Sequence, residues 1–85
     1  PNAPNPFNAR TEIRFDLPAA GIYELVIYDV AGRRVAGFDG VGSAGTNSLF
    51  WDGRDDGGAN LGSGVYYYRL RAGSDSATQK MILIK

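Results

Sequence analysis

The chain of 85 residues is long enough for one small domain, and its nine basic and nine acidic residues give a formal net charge of zero. It contains neither cysteine nor histidine, which excludes disulfides, Ser-His and Cys-His catalysis and the commonest zinc ligand. The absence of a concentrated basic stripe argues against nucleic-acid binding, and no apolar run approaches the roughly 20 residues of a membrane-spanning helix.

The start of the chain predicts an extended segment followed by a half-buried strand. Three prolines fall within residues 1–8, and proline lacks an N–H group and pushes the preceding residue towards extended backbone. We therefore interpret residues 1–8 as an extended arm or the end of a linker, and residues 9–85 as the domain. Apolar and charged side chains alternate over residues 12–17, which predicts a strand with Phe15 on its buried face.

The second predicted strand, residues 22–30, is apolar on both faces. Leu25 and Ile27 share one face, while Val26 and Tyr28 share the other. A strand of this kind is typical of the centre of a sheet, where neighbouring layers cover both sides. We therefore expect residues 22–30 to lie in a central position.

Two shorter strands follow, at residues 34–39 and 46–51. The second of them carries Leu49 and Trp51 on one face, and Trp51 is the only tryptophan in the chain. A large aromatic side chain can bury roughly 150–250 Å². We expect Trp51 to fill a central part of a small core.

A loop rich in glycine, aspartate and asparagine follows Trp51. Asp and Asn side chains accept hydrogen bonds from nearby backbone N–H groups, and glycine supplies the positive φ that tight reversals need. The composition therefore predicts a structured loop cap made by Asp52, Gly53, Asp55, Asp56, Gly57 and Asn60. The alternative is a calcium site at Asp52, Asp55 and Asp56, although their spacing departs from that of a helix-loop-helix calcium site.

The last two predicted strands are residues 65–72 and 77–85. The inward face of the first carries Tyr66, Tyr68 and Leu70, because the opposite choice would bury two arginines. The second contains an unbroken Met-Ile-Leu-Ile run, which is typical of a buried strand or of an edge strand that awaits a partner.

Short strands at even spacing, separated by Gly/Asp turns, predict an all-β, immunoglobulin-like antiparallel β-sandwich of about seven strands. No disulfide can close this sandwich, so aromatic and aliphatic side chains must supply the core. We expect the core to include Phe15, Leu25, Ile27, Leu49, Trp51, Tyr66, Tyr68 and Leu70.

Several short motifs occur in a fixed order along almost the whole chain. They are Asn5-Pro-Phe-Asn8, Thr11-Glu-Ile-Arg-Phe-Asp-Leu-Pro18, Tyr28-Asp-Val-Ala-Gly-Arg33, Ala44-Gly45, Trp51-Asp-Gly-Arg-Asp55, Ser63-Gly-Val-Tyr66 and Lys80-Met-Ile-Leu-Ile-Lys85. This order resembles the C-terminal sorting domain of type IX secretion cargo, type A. It is also similar to the immunoglobulin-like domain of the flagellar hook-capping protein, which shares the middle motifs. Ala9 departs from the first motif, where such domains often carry proline.

The resemblance to sorting domains implies a non-enzymatic domain with no cofactor and no catalytic residues. It implies export through the type IX system, with passage through the periplasm, and anchoring of an upstream cargo domain at the bacterial cell surface. The partners would be an outer-membrane translocon and a sortase. By analogy, the recognition segment would be Lys80, Met81, Ile82, Leu83, Ile84 and Lys85.

The alternative is an accessory immunoglobulin-like scaffold or adhesion module. Alternation places Tyr28, Phe50 and Tyr67 on outward faces, where aromatic rings could stack on glycans. Protein binding, or self-association through strand exchange by the N-terminal arm or the C-terminal strand, is a further form of this alternative.

Overall fold

The computed structural model describes residues 11–84, which form six antiparallel strands in two sheets. The strands are β1 (Thr11–Leu17), β2 (Gly21–Tyr28), β3 (Arg34–Gly42), β4 (Gly45–Trp51), β5 (Gly64–Ala72) and β6 (Asp75–Leu83). One sheet has the order β3-β2-β5-β6 and the other is the pair β1-β4. The predicted immunoglobulin-like sandwich is confirmed, with six strands in the described range where about seven were expected. The predicted arm at residues 1–8 lies outside the described residues.

Strand β1 shows how alternation produces the sandwich. Ile13, Phe15 and Leu17 are buried, while the charged residues between them are exposed. Successive side chains of a strand point to opposite faces, so one face of β1 enters the core and the other meets solvent. Strand β1 pairs with β4 along its whole length, from Thr11 opposite Trp51 to Leu17 opposite Gly45.

Strand β2 occupies the central position that its two apolar faces predict. Leu25 and Ile27 have no exposed surface, and Val26 on the opposite face is also buried. The strand ends at Tyr28, two residues earlier than expected. Asp29 turns the chain there, because its Oδ1 atom accepts hydrogen bonds from the backbone N–H groups of Ala31, at 3.0 Å, and Arg33, at 2.9 Å.

The observed bounds of β3 and β6 also differ from the expected ones. Strand β3 continues to Gly42, because it stays paired with β2 until Gly42 lies opposite Gly21. Strand β6 begins at Asp75, because its pairing with β5 starts where Asp75 lies opposite Ala72. It ends at Leu83, two residues before the expected end. Local composition indicates a turn, but pairing with a neighbour decides where a strand starts and stops.

The core lies between the two sheets. Phe15, Leu25, Ile27, Trp51, Tyr66 and Leu70 are buried in it, and Leu49 and Tyr68 pack against it while partly exposed. Among the described residues, two pairs of aromatic rings make contact between the sheets. The rings of Trp51 and Tyr66 meet edge to face with centroids 5.2 Å apart, and those of Phe15 and Tyr23 are tilted with centroids 4.8 Å apart.

The two sheets are unequal in width, and the narrow sheet does not cover all of the wide one. Leu83, Met81, Gln79 and Ala77 of β6 lie opposite inward-facing residues of β5, so they face the same side. Along this row Leu83 is buried, Met81 is partly exposed, and Gln79 and Ala77 are exposed. The narrow sheet therefore covers one end of β6 and leaves the other end open.

Candidate functional site

The loop at residues 52–60, here called the aspartate loop, is built around one carboxylate. Oδ1 of Asp55 accepts hydrogen bonds from the backbone N–H groups of Gly57 and Ala59, both at 2.9 Å. The backbone of Asp55 donates to the carbonyl of Ala59 at 2.9 Å and accepts from Gly58 at 2.9 Å. Gly58 has φ of 87°, a conformation that favours glycine. These bonds close a tight turn within the loop.

The beginning of the aspartate loop is held in a similar way. Oδ1 of Asp52 accepts a hydrogen bond from the backbone N–H of Arg54 at 3.1 Å, and its Oδ2 lies 3.8 Å from the Arg54 guanidinium. Arg54 also forms a single β-bridge with Asn60. Gly53 has φ of 76° and its carbonyl accepts from Leu61 at 2.9 Å. The start of the loop is therefore fixed by hydrogen bonds among its own residues and Leu61, and apart from the single Arg54–Asn60 bridge it forms no strand pairing within residues 11–84.

Asp56 fastens the aspartate loop to the edge of the wide sheet. Its backbone N–H donates to the carbonyl of Val35 at 2.9 Å, and its Oδ1 accepts from the N–H of Gly37 at 3.2 Å. Its Oδ2 lies 3.5 Å from the guanidinium of Arg34. Strand β3 is an edge strand with unpaired backbone groups, so the loop covers part of an edge on which another chain could pair.

The aromatic side chains beneath the loop support it from the core. Nε1 of Trp51 donates to the carbonyl of Arg54 at 3.0 Å, and the hydroxyl of Tyr66 donates to the carbonyl of Gly62 at 2.7 Å. Each ring is therefore buried while its one polar atom is satisfied by loop backbone. The sequence alone does not predict these two hydrogen bonds. The one feature that points to them is that Trp51 precedes the loop and Tyr66 follows it.

The carboxylates of Asp52, Asp55 and Asp56 are not arranged as the calcium alternative requires. Within residues 11–84, no three or more acidic side chains come together in a group that could hold a metal ion. Asp52, Asp55 and Asp56 direct their carboxylate oxygens to backbone N–H groups and arginines of their own surroundings. The contacts support the interpretation of these residues as a loop cap.

The segment predicted for translocon recognition does not form a single surface. Lys80 and Ile82 are exposed on the outward face of β6, whereas Leu83 is buried in the core at 1% exposure. Ile84 follows the strand and is exposed, and Lys85 lies outside the described residues. The run from Met81 to Leu83 therefore belongs to an edge strand in which Leu83 is part of the core and Met81 packs against it.

The outward aromatic residues lie on two separate surfaces. Tyr28 and Tyr67 are opposite one another on the outer face of the wide sheet. Phe50 lies opposite the exposed Glu12, on the outer face of the narrow sheet. The three rings therefore do not form a common platform for a sugar.

Within residues 11–84, Asp29 and Tyr68 have shifted pKa values. Hydrogen bonding from the backbone of Arg33 lowers the pKa of Asp29, and the Arg33 guanidinium, 3.1 Å from Oδ2, and the N–H of Ala31 act in the same direction. Burial raises the pKa of the Tyr68 phenol, whose hydroxyl donates to the carbonyl of Arg14 at 3.3 Å. The Tyr68 contact joins β5 to the free edge of β1.

Along the part of the chain that the structure describes, Asp29, Asp52 and Asp55 accept hydrogen bonds from turn backbone, Glu12 and Glu24 form surface ion pairs, and Asp16 accepts from the hydroxyl of Thr46 at 2.8 Å. The same range holds no helix of the length and apolar character that crossing a membrane requires.

Comparisons with known proteins identify one family. The model of the FlgD Ig-like domain matches residues 5–76. Two solved structures share the fold: FlgD of P. aeruginosa, with a TM-score of 0.74 and 24% identity, and FlgD of Xanthomonas campestris, with a TM-score of 0.69 and 23% identity. Each similarity covers 89% of this chain, but only 60% and 56% of the respective FlgD chains. No curated protein matches.

These matches overturn the functional predictions that came from the sorting-domain resemblance. Export through the type IX system, translocon and sortase partners, and a secreted, cell-surface location are wrong, because the family that matches is the hook-capping one. The adhesion alternative, with its glycan-binding and strand-exchange forms, receives no support and is likewise replaced. The middle motifs occur in both families, and the resemblance to sorting domains depended on the Lys80-to-Lys85 ending, which lies beyond the matched residues.

The part of the resemblance that named the hook-capping protein is confirmed. The match extends from residue 5 to residue 76 and includes the first five strands of the sandwich, the aspartate loop and the turn at Asp29. Because this range is most of the chain, the protein belongs to the FlgD Ig-like domain family.

Proposed function

We propose that this chain is a non-enzymatic assembly domain that acts in a hook-capping protein of the bacterial flagellum. The family match over residues 5–76 carries the proposal. The structure of FlgD from Xanthomonas campestris is described in terms of hook capping that is essential for flagellar assembly. The present chain spans 56% of that protein, so we assign it the role of one domain within such a cap.

The geometry suits a domain that contacts other proteins without chemistry of its own. Its core is closed by interlocked side chains from two sheets, and its loop carboxylates are occupied by backbone and arginine partners. The aspartate loop shields part of the β3 edge, which limits unwanted pairing at that side. The domain can therefore present fixed surfaces to neighbouring subunits, with pairing limited at the β3 edge.

Replacement of the Ig-like segment in a working FlgD tests the proposal. In P. aeruginosa, the FlgD segment that aligns with this chain would be exchanged for residues 5–84, and hook assembly would be scored by electron microscopy together with swimming motility. We expect the chimera to restore hooks to a strain that lacks FlgD. An unrelated immunoglobulin-like sandwich of similar size in the same position is the matched control, and it should not restore them.

Two outcomes count against the proposed function. One is a chimera that accumulates in folded form to the level of native FlgD and yet assembles no hooks. The other is equal assembly with the unrelated sandwich, which would reduce the domain to a spacer. The level and folding of each chimera are checked by immunoblotting and by resistance to limited proteolysis.

A further inference from the structure

The open end of the sandwich lies between the free edge of β1 and the uncovered end of β6. Strand β1 pairs only with β4 among the described strands, so its other edge has no neighbour within residues 11–84. The hydroxyl of Tyr68 donates to the carbonyl of Arg14, which shows that this edge faces β5. Backbone groups of alternate residues point to the same edge, so Glu12 and Asp16 share it with Arg14.

The floor and far wall of this opening, here called the β1/β6 slot, come from the wide sheet. Leu70 and Ala72 of β5 lie opposite Ala77 and Asp75 of β6, and all four face the narrow sheet. Together with Asp16 and Pro18 they line a cavity of about 90 Å³. Its floor is apolar and small, which suits the side chain of a short aliphatic residue.

The charges around the slot are predominantly acidic. Asp16 and Asp75 stand at the cavity, and within the described residues no basic side chain lines it. Arg14 is engaged with Glu12 at 3.3 Å, and Oδ1 of Asp16 accepts from the hydroxyl of Thr46 at 2.8 Å. A partner with basic side chains would therefore match the rim of the slot.

We propose that the β1/β6 slot binds an extended segment of a partner protein, which adds as a third strand to the narrow sheet beside β1. The segment pairs its backbone with the free edge at Asp16, beyond the Arg14 carbonyl that Tyr68 already engages. It places an aliphatic side chain over Leu70 and Ala77, and directs a lysine or arginine towards Asp16 and Asp75. Strand addition gives affinity through the backbone, and the pocket and charges select the sequence. The inference rests on the proposed assembly function, since it specifies which face of the domain a neighbouring subunit would contact.

Three acetylated nonapeptides test this specificity on the full chain. The first is a threonine peptide with lysine at positions 3 and 7 and valine at position 5, so that all three share one face of an extended strand. The second carries glutamate in place of both lysines, and the third carries proline at positions 4 and 6 to remove backbone donors. Binding would be followed by amide chemical shifts in two-dimensional NMR.

We expect the lysine peptide to shift the amides of Arg14, Leu70 and Ala77. The glutamate peptide should bind at least about tenfold more weakly, and the proline peptide should not bind. Equal binding of the lysine and glutamate peptides, or shifts confined to other surfaces, would overturn the proposal. So would sedimentation showing that a second copy of this chain already fills the slot.

Variants on the two faces of β6 provide the matched control. Ala77→Arg places a long side chain in the slot and should weaken the lysine peptide at least about tenfold, whereas Thr78→Arg makes the same charge change on the opposite face and should leave it unchanged. Both positions are exposed, so neither change disturbs the core. Asp75→Asn should weaken binding, and Asp39→Asn, exposed on β3, should not.

The FlgD chimera separates failure of the slot from failure of the proposed function. If the chimera assembles hooks and its Ala77→Arg form does so equally well, the slot is not used and the proposal for it is overturned while the assembly function stands. If no chimera assembles hooks although the lysine peptide still binds, the assembly function is contradicted and the slot remains a peptide site.

Discussion

At the scale of single residues, Trp51 joins the core to the aspartate loop. It is 1% exposed, packs edge to face on Tyr66 and donates from Nε1 to the carbonyl of Arg54. Trp51→Ala leaves a large cavity and an unsatisfied carbonyl, so we expect a loss of about 3–5 kcal/mol in the free energy of unfolding. Denaturant unfolding followed by circular dichroism measures this loss. Val41→Ala, at a site that is 79% exposed, should change stability by less than about 0.5 kcal/mol.

The result for Trp51→Ala would contradict the structure if the variant unfolded at the same denaturant concentration as the native chain. Trp51→Phe refines the test, because it retains most of the ring volume but removes the donor to Arg54. We expect it to cost less than the alanine variant and to loosen the loop first. Faster proteolysis within residues 52–60 would report that loosening.

Ionisation of Asp29 makes the stability of the fold depend on pH. The N–H of Arg33, its guanidinium and the N–H of Ala31 all favour the ionised carboxylate, so the folded-state pKa lies below the ordinary value of 3.8. A lowered pKa stabilises the fold above pH 3.8, and this contribution is lost as the pH falls from 3.8 through the folded-state pKa. Asp29→Asn should therefore be less stable than the native chain at pH 7, and the difference should shrink below pH 3.8.

Unfolding of both proteins in denaturant at pH 7, 4 and 2 measures the Asp29 effect. Asn keeps the side-chain oxygen that accepts from the backbone, so the comparison isolates the charge. Asp39→Asn is the control, because Asp39 has no ion pair among those that the structure describes. A difference between native and Asp29→Asn that stays constant over this range would contradict the lowered pKa.

At the scale of elements, the aspartate loop and the β3 edge act as one unit. Asp56 supplies both the backbone donor to Val35 and the carboxylate that accepts from Gly37. Asp56→Ala removes the acceptor and the ion pair with Arg34, so we expect the Gly37 amide to exchange with solvent at least about tenfold faster. The fold should lose only about 0.5–1.5 kcal/mol, since these groups are exposed.

Amide hydrogen exchange by NMR measures the release of the β3 edge. Asp52→Ala is the control, because it removes a carboxylate from the same loop without contact to β3. It should leave the exchange of Gly37 unchanged. If both variants accelerate exchange of the Gly37 amide equally, the loop shields the β3 edge without needing the Asp56 contacts. If neither variant changes that exchange rate, the loop does not shield the edge.

The elements also show what the sequence could and could not predict. Alternation at Phe15 and its neighbours and the two apolar faces around Leu25 were sufficient for the strands and for the central place of β2, because they record local burial. The end of β2 was missed, because the Asp29 turn depends on hydrogen bonds that alternation does not encode. The docking of Asp56 on β3 and the open end of β6 were also missed, since both depend on pairing between distant segments.

Function was harder to predict than fold for a related reason. The middle motifs, such as Tyr28 to Arg33 and Trp51 to Asp55, encode turns and core positions that one sandwich scaffold needs in more than one biological setting. Such residues identify the scaffold but do not discriminate between its uses. The ending at Lys80 to Lys85 is the feature that points to sorting domains, and its residues 80–83 belong to the edge strand β6.

At the scale of the whole molecule, the unequal sheets predict a gradient of local stability. Strand β2 is flanked by β3 and β5 and is buried at Leu25 and Ile27, so its amides should exchange only through global unfolding. Among the described strands, β6 pairs with β5 alone, and it is exposed from Asp75 to Lys80. Its bonded amides there should exchange through local opening, whereas the buried end at Leu83 should be more protected.

Native-state hydrogen exchange over a series of low denaturant concentrations separates these two modes of opening. For Leu25 and Ile27 the exchange rate should rise with denaturant as steeply as global unfolding does, because their opening exposes the whole core. For amides of β6 that pair with β5 near Ala77, the rate should depend little on denaturant. Ala77 and Leu83 lie on the same edge strand, so a difference between their amide exchange rates reports coverage by the narrow sheet and not the edge position of the strand. Equal protection at both ends of β6 would show that the narrow sheet does not set the gradient, and would place the open end of the sandwich elsewhere.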